Sequence, residues 1–276
     1  MMVHGGRGER RLRIGGVSYL NSRPLIHGLE RLAPQVTLET DLPSRLADRL
    51  AAGELDAALV PSIEYFRRPG YVVVSDACVA CDGPVRSVKL YSRVPVERIA
   101  SLALDEGSRT SAALARILLA ERFGRRPRIE PLGIGKSVED SRADAVMLVG
   151  DRGMLPAGGS FAFVWDLGQE WGSWSGLPFV FAMWVARAEC DLDELARVLS
   201  AARDEGCRRL AEIARCEAPR VGLPEGECLA YFRENLRFHL GPREQEGLRR
   251  FYGLAERHGL APAGVQLVVH DRRLAG

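Results

Sequence analysis

The chain predicts an α/β fold built as two lobes, and three observations carry that expectation. Apolar strand-like runs alternate with helix-period stretches through the first two thirds of the sequence, as in a sheet covered by helices. Leu55-Asp56-Ala57-Ala58-Leu59-Val60 is almost continuously apolar, the mark of a strand buried on both faces of a parallel sheet. The stretch from about Val96 to Pro178 makes a βαβ set of its own, so the helical tail after it must return to the first unit. The expected division is residues 1–95 with 184–276 in the first lobe and 96–183 in the second, with a ligand cleft between them. Clefts of this kind bind small ligands and close by hinge motion.

The elements follow in order. The first strand, Leu12 to Val17, breaks into Ser18-Tyr19-Leu20-Asn21-Ser22, and Pro24 to Leu32 then has helical character. Val36 to Thr40 alternates as a strand; Ser44 is placed to cap a helix whose apolar face is Leu46, Leu50 and Ala51, and Gly53 stops it. Leu55 to Val60 is the next strand, ending in Pro61-Ser62-Ile63-Glu64-Tyr65. Tyr71 to Ser75 and Val85 to Tyr91 are strands on either side of an Asp82-Gly83-Pro84 turn. Ser101 to Asp105 is a strand running into a helix from Ala112 to Phe123. Arg128 to Leu132, Ala143 to Val149, Phe161 to Leu167 and Phe179 to Ala186 supply four more strands. Helices are expected over Leu192 to Ile213, Pro224 to Leu236 and Pro242 to His258. Val265 to Val269 either adds a strand or covers the lobe.

Composition narrows the function. A net charge of +2, from 38 basic and 36 acidic residues, gives no reason to expect nucleic acid. The basic run Arg7 to Arg13 is short, residues 1–10 look disordered, and the apolar runs are too short to span a bilayer. No apolar region at the start is followed by a small-residue cleavage site, so the expected location is cytoplasmic. Of six cysteines, only Cys78 and Cys81 form a C-x-x-C, with no second pair and no His nearby; buried free thiols are expected rather than a metal site. His239, His258 and His270 are isolated and suit surface or capping positions.

Candidate binding residues gather at strand ends, where open α/β sheets hold ligands. Ser18, Tyr19, Asn21 and Ser22 lie at the end of the first strand, although a capped strand-to-helix turn explains them equally well. Glu106-Gly107-Ser108-Arg109-Thr110-Ser111 is the best anion site, because a helix start offers free N–H groups and a positive dipole end. Arg109 either adds its charge there or pairs with Asp105. The spacing is not that of a P-loop. Asp151 caps a turn or faces the cleft, Ser62 is a weaker rim member, and Ser87 stands near the start of its strand.

Six ordered segments carry a resemblance. They are Val17-Ser18-Tyr19-Leu20-Asn21-Ser22-Arg23-Pro24-Leu25, Leu59-Val60-Pro61-Ser62-Ile63-Glu64-Tyr65, Asp82-Gly83-Pro84-Val85-Arg86-Ser87-Val88, Leu104-Asp105-Glu106-Gly107-Ser108-Arg109-Thr110-Ser111, Val149-Gly150-Asp151, and Asp166-Leu167-Gly168-Gln169-Glu170-Trp171 through Ser175-Gly176-Leu177-Pro178-Phe179-Val180-Phe181-Ala182. Together they resemble the chorismate dehydratase family of the futalosine route to menaquinone, over about residues 12 to 260. The resemblance implies a two-lobed fold of the type II periplasmic-binding-protein kind used by a cytoplasmic enzyme. The sequence departs from the family pattern at Ser175, where Thr is expected, at Arg23, where a small or apolar residue is usual, and at Arg152, where Ala is more frequent.

The resemblance also implies a substrate, the dicarboxylate chorismate, and a reaction, loss of water to give 3-[(1-carboxyvinyl)oxy]benzoate. The ring proton on the ether-bearing carbon is γ to the ring carboxylate through a double bond. Its removal gives a delocalised dienolate, and expulsion of the neighbouring hydroxyl makes the ring aromatic. That chemistry requires no cofactor and no metal; it requires a dianion held in place and charge stabilised on one carboxylate. Asn21 would orient the reacting ring or its carboxylate, as the catalytic residue. Ser87 with Ser108, Arg109, Thr110 and Ser111 would bind carboxylates, and Ser18 and Asp151 would complete the rim. No His, Lys or Glu in the recognised segments is an evident base, and Glu64 is the nearest carboxylate. The enolpyruvyl carboxylate of the substrate is then the expected proton acceptor. Two other readings stay open: the sister enzyme that forms 1,4-dihydroxy-6-naphthoate, and a binder of small anions without catalysis.

Overall fold

The computed structural model describes residues 11–155, 158 and 161–270. The segment 1–10, expected to be disordered and carrying part of the basic run Arg7 to Arg13, lies outside the described residues.

The elements run β1 (Leu12–Val17), a 3-10 turn (Leu20–Ser22), α1 (Arg23–Ile26), α2 (Leu29–Leu32), β2 (Val36–Asp41), α3 (Pro43–Ala51), β3 (Ala57–Pro61), α4 (Ser62–Arg67) and β4 (Tyr71–Cys81). Then come β5 (Val88–Ser92), β6 (Ser101–Asp105), α5 (Arg109–Phe123), β7 (Arg128–Leu132), β8 (Ala145–Val149), α6 (Asp151–Met154), β9 (Phe163–Asp166) and α7 (Leu167–Ser175). The chain closes with β10 (Phe179–Arg187), α8 (Leu192–Arg208), α9 (Leu210–Val221), α10 (Glu225–Ala230), a π-helical turn (Tyr231–Asn235), β11 (Arg237–His239) and α11 (Pro242–Arg257). The expected helix over Pro24 to Leu32 is two short ones, because Gly28 takes φ 68° between them.

Two sheets result. The first has the order β2-β1-β3-β10-β4-β11 and the second β7-β6-β8-β5-β9. In the first, β1 runs parallel to β2 and β3, and β10 inserts antiparallel between β3 and β4. In the second, β6 is parallel to β7 and β8, whereas β5 is antiparallel to β8 and β9. Strand β5 therefore belongs with the second lobe, on the far side of the boundary expected after residue 95, and β10 lies wholly in the first sheet from Phe179. Alternation marks a strand but not its partners, and only the pairing assigns β5 to the second sheet.

Strand β4 is longer than the expected Tyr71 to Ser75 and carries Cys78 and Cys81 into the core, where both are fully buried. Burial pushes both thiols well up from their ordinary range. Val265 to Val269 covers β4: Val269 makes a single parallel bridge to Val73, and the Val73 amide donates to the Val268 carbonyl at 3.1 Å.

The chain crosses between sheets twice, before β5 and after β9, and Asp166 ties the two crossings together. Its carboxylate accepts the amides of Val85 at 2.9 Å, Arg86 at 2.6 Å, Gly168 at 3.0 Å and Gln169 at 3.1 Å. The tail returns over the first sheet, where α8 packs on β4 and on α1. That crossing is close enough to demand glycine: a Cβ on Gly206 would lie 1.8 Å from the carbonyl oxygen of Pro24. Neither helix backbone can yield to that overlap without opening the packed layer. Gly206→Ala should therefore cost about 2–3 kcal/mol or more, measured as a lower denaturant midpoint at unchanged slope.

Candidate functional site

The break after β1 builds the first wall. Ser22 turns inward, is fully buried, and donates its hydroxyl to the carbonyl oxygens of Val17 and Tyr19. That satisfies strand-end acceptors that a sheet would otherwise have to pair. The turn leaves Asn21 lining a cavity between the two sheets. Its side-chain oxygen is buried and has no hydrogen-bond partner within the protein. A buried amide oxygen left unpaired costs stability in the free protein.

Helix α5 builds the opposite wall. Ser108 is its N-cap, accepting the Ser111 amide at 3.4 Å, and the two hydroxyls are 3.1 Å apart. Both serines line the cavity. The first-turn amides of a helix lack intrahelical acceptors, and the dipole makes that end positive. Ser87 completes the polar set, while Val17, Val79, Val149, Phe181 and Pro61 supply the apolar lining. Groups from the first sheet, the second sheet and the crossing segment thus meet in one space.

The expected residues divide accordingly. Asn21, Ser87, Ser108 and Ser111 come together; Ser18, Arg109, Thr110 and Asp151 do not line the cavity. The Ser18 carbonyl instead accepts from Arg23 at 2.9 Å, and Arg23 also pairs with Glu217 at 3.4 Å. Arg109 reaches across to the first lobe, where it holds both oxygens of Asp48 at 3.0 and 2.7 Å and Glu64 at 3.2 Å. The alternative partner expected for it, Asp105, is taken by Arg152 at 2.5 Å and by the Gly107 and Val149 amides. Thr110 is fully buried and accepts the Ile63 amide at 3.1 Å, with the Ser62 hydroxyl 3.3 Å away. Glu64 is 3% exposed and enclosed by Arg67, Arg68 and Arg109. Glu64 does not line the cavity.

Asp151 joins the walls. Its carboxylate accepts the Leu20 amide at 2.9 Å, across the gap between lobes. Burial raises its pKa above the ordinary aspartate value, against the pull of that amide and of Arg23. Beside it, the Tyr19 ring fills a slot left by two glycines. A Cβ on Gly107 would lie 2.4 Å from the Tyr19 hydroxyl, and one on Gly150 would lie 2.6 Å from the ring. Gly150 also has φ 68°, ψ −150°, a conformation open essentially to glycine. Burial, reinforced by the Asp105 carboxylate, pushes the Tyr19 phenol up, so it stays protonated.

Tyr19 belongs to the candidate binding residues of the opening turn, and its paired glycines are the signal that a bulky ring needs room. Tyr231, whose hydroxyl donates to Ser87 at 2.8 Å, carried no signal at all. It sits 144 positions further along the chain, in an otherwise helical pattern.

Comparison with known proteins gives three kinds of likeness. The family model described as menaquinone biosynthesis matches residues 12–257. A chorismate dehydratase of Thermus thermophilus is 34% identical over 256 residues, spanning 86% of this chain and 93% of the relative. Among solved structures, protein AF1704 of Archaeoglobus fulgidus aligns with a TM-score of 0.72 at 14% identity, over 92% of this chain and 100% of that one. The periplasmic aliphatic sulphonate binding protein SsuA of Escherichia coli aligns at 0.59 and 15% identity, over 95% of this chain and 94% of its own. The two structural likenesses concern the fold, which is that of periplasmic binding proteins with two lobes.

Asp151 offers a test of the wall-to-wall contact. Asp151→Ala leaves the buried Leu20 amide unpaired and should cost about 1–3 kcal/mol. Asp151→Asn keeps an acceptor and removes the buried charge. A carboxyl whose pKa is raised on folding contributes its stability below the unfolded value near 3.9 and loses it as pH rises through the folded value. At pH 7 the Asn variant should therefore be at least as stable as the parent, with that advantage vanishing as the pH falls below about 4. Urea melts across this pH range check both variants.

Proposed function

The chain belongs to the menaquinone-biosynthesis family and is a homologue of chorismate dehydratase, and from that premise we propose that it converts chorismate to 3-[(1-carboxyvinyl)oxy]benzoate and water. It is then a hydro-lyase on the futalosine route. The observation that carries this reading is the meeting of Asn21, Ser87, Ser108 and Ser111 in one cavity between the lobes, floored by apolar side chains. Such a space suits a small ring bearing carboxylates. Hydroxyls and a helix N-terminus at one side serve anionic groups; valines and Phe181 serve the ring.

The reaction proceeds in this reading without a side-chain base. Ser108, Ser111 and the first-turn amides of α5 hold one carboxylate of the dianion, and Ser87 meets the other. The enolpyruvyl carboxylate removes the ring proton from the carbon that carries it through the ether oxygen. Electron density moves through the double bond onto the ring carboxylate, where fixed donors stabilise it more strongly than they do the ground state. The neighbouring hydroxyl leaves, takes up the proton as water, and the ring becomes aromatic. Asn21 orients the substrate: its unpaired oxygen accepts a hydrogen bond from the substrate hydroxyl, while its amide N–H₂ faces the carboxylate that receives the proton.

Arg109 and Thr110 have a different task here. They cross from α5 to α3 and α4 and keep the lobes together around the substrate. The proposed place of work is the cytoplasm; no helix among the described residues is long and apolar enough to cross a membrane.

Mixing the protein with chorismate should produce the ultraviolet absorbance of a substituted benzoate. Asn21→Ala should lower kcat/KM by about 100-fold, the loss typical of one well-placed polar group in a reacting site, with the thermal midpoint within a few degrees of the parent. Near-parental turnover by that variant would remove Asn21 from the mechanism, and chorismate recovered unchanged from the parent protein would remove the dehydratase reading.

A further inference from the structure

The C-terminal tail touches Ser87, a residue that lines the cavity. Tyr231 is fully buried, begins the π-helical turn Tyr231–Asn235, and donates its hydroxyl to the Ser87 oxygen at 2.8 Å. The same stretch of tail holds the loop before Ser87 at two more points. The Asn235 amide donates to the Pro84 carbonyl at 2.9 Å, and Glu227 pairs with Arg86 at 3.1 Å. Single π-helical turns interrupt helices chiefly where a side chain must be re-aimed, and often at functional sites. Here the wider turn ends a helix over the loop that carries Ser87.

That loop is itself constrained. Arg86 has φ 61°, and among the described residues no other non-glycine residue has a positive φ. A bulky residue adopts this conformation only when its surroundings impose it. Asp166 imposes it by taking the Val85 and Arg86 amides. The Ser87 amide turns back on the Val85 carbonyl at 2.7 Å. Its backbone donor is therefore spent within the loop, and the hydroxyl is what Ser87 offers the cavity.

A serine hydroxyl has one proton and two lone pairs. When Tyr231 donates to one lone pair, the Ser87 proton turns elsewhere, and the cavity is the open direction. Burial pushes the Tyr231 phenol far up, so it remains a donor at any working pH. A hydroxyl that is already accepting is also a stronger donor, because the two bonds polarise each other.

We infer that Tyr231 is a positioning residue of the cavity, orienting the Ser87 hydroxyl as a donor to a substrate carboxylate, and that the C-terminal tail is thereby part of the binding site. This rests on the dehydratase reading for the identity of the carboxylate. Tyr231 touches no substrate and acts through Ser87 alone.

A double-mutant cycle tests it, with Tyr231→Phe, Ser87→Ala and the pair combined. Turnover of chorismate is followed by benzoate absorbance and chorismate affinity by calorimetry. Each single change should raise KM and Kd about tenfold with kcat altered less than threefold, and the pair should bind no worse than about twofold weaker than Ser87→Ala alone. Each variant is assayed at a temperature where its urea melt shows it fully folded, because an unfolded fraction would itself raise the apparent KM and Kd. An unchanged Kd in Tyr231→Phe, or losses that multiply in the pair, would overturn the inference while leaving the dehydratase reading in place. A parent protein that binds chorismate without forming the benzoate sinks the dehydratase reading, and the cycle is then decided on Kd. A parent that does not bind chorismate overturns both.

Discussion

Everything at the cavity depends on how the turn after β1 is held against the second lobe. Asp151 takes the Leu20 amide, and Tyr19 fills the slot that Gly107 and Gly150 leave for it. These contacts place Asn21 at the boundary between sheets. A turn left free would satisfy its polar groups with water and with its own backbone. Docked this way, it presents the unpaired Asn21 oxygen to the cavity. The second lobe therefore positions Asn21 as much as β1 does.

The charges near the cavity are spent on structure. Arg109 holds Asp48 and Glu64, Arg152 holds Asp105, and Arg23 holds Glu217. What faces the cavity is neutral: hydroxyls, an amide and the start of a helix. This matters for catalysis by the proposed route. A guanidinium binds a carboxylate tightly before and during reaction, and uniform binding of that kind does not speed the chemical step. Dipoles fixed by packing are already aimed where charge grows, so they need no reorganisation as it develops. The Arg109 pairs bridge the lobes, and beside them Thr110 accepts the Ile63 amide across the same boundary.

The crossing segments show how distant parts of the chain are joined. Asp166 gathers four amides from two stretches, and so sets the backbone on which Ser87 stands. The tail approaches the same loop from outside through Tyr231, Asn235 and Glu227. A helical tail that only covered a sheet would need no such polar contacts. Its packing face, with Leu195, Val198, Leu199 and Ala202 buried, already accounts for its hold on the first lobe.

What could be read in the sequence was what is local or periodic. The apolar runs located nearly every strand, Pro242 marked the start of the last long helix, and Ser108 with Ser111 marked the start of α5, because these depend on neighbours a few residues away. The order of motifs was enough to resemble the family, and Asn21, Ser87, Ser108 and Ser111 stood out as polar groups at strand and helix ends. Pairing and direction belonged to the tertiary structure alone. Strand β5 has the same alternation whichever sheet accepts it, and only its hydrogen bonds to β8 and β9 assign it. Arg109 was positioned to bind an anion, yet two carboxylates brought from other helices took its side chain. Tyr231 had no local mark, because its role rests on a contact across 144 positions. A periodic pattern records which face of an element is buried. It does not record what the buried group meets, since that partner arrives only when the lobes fold together.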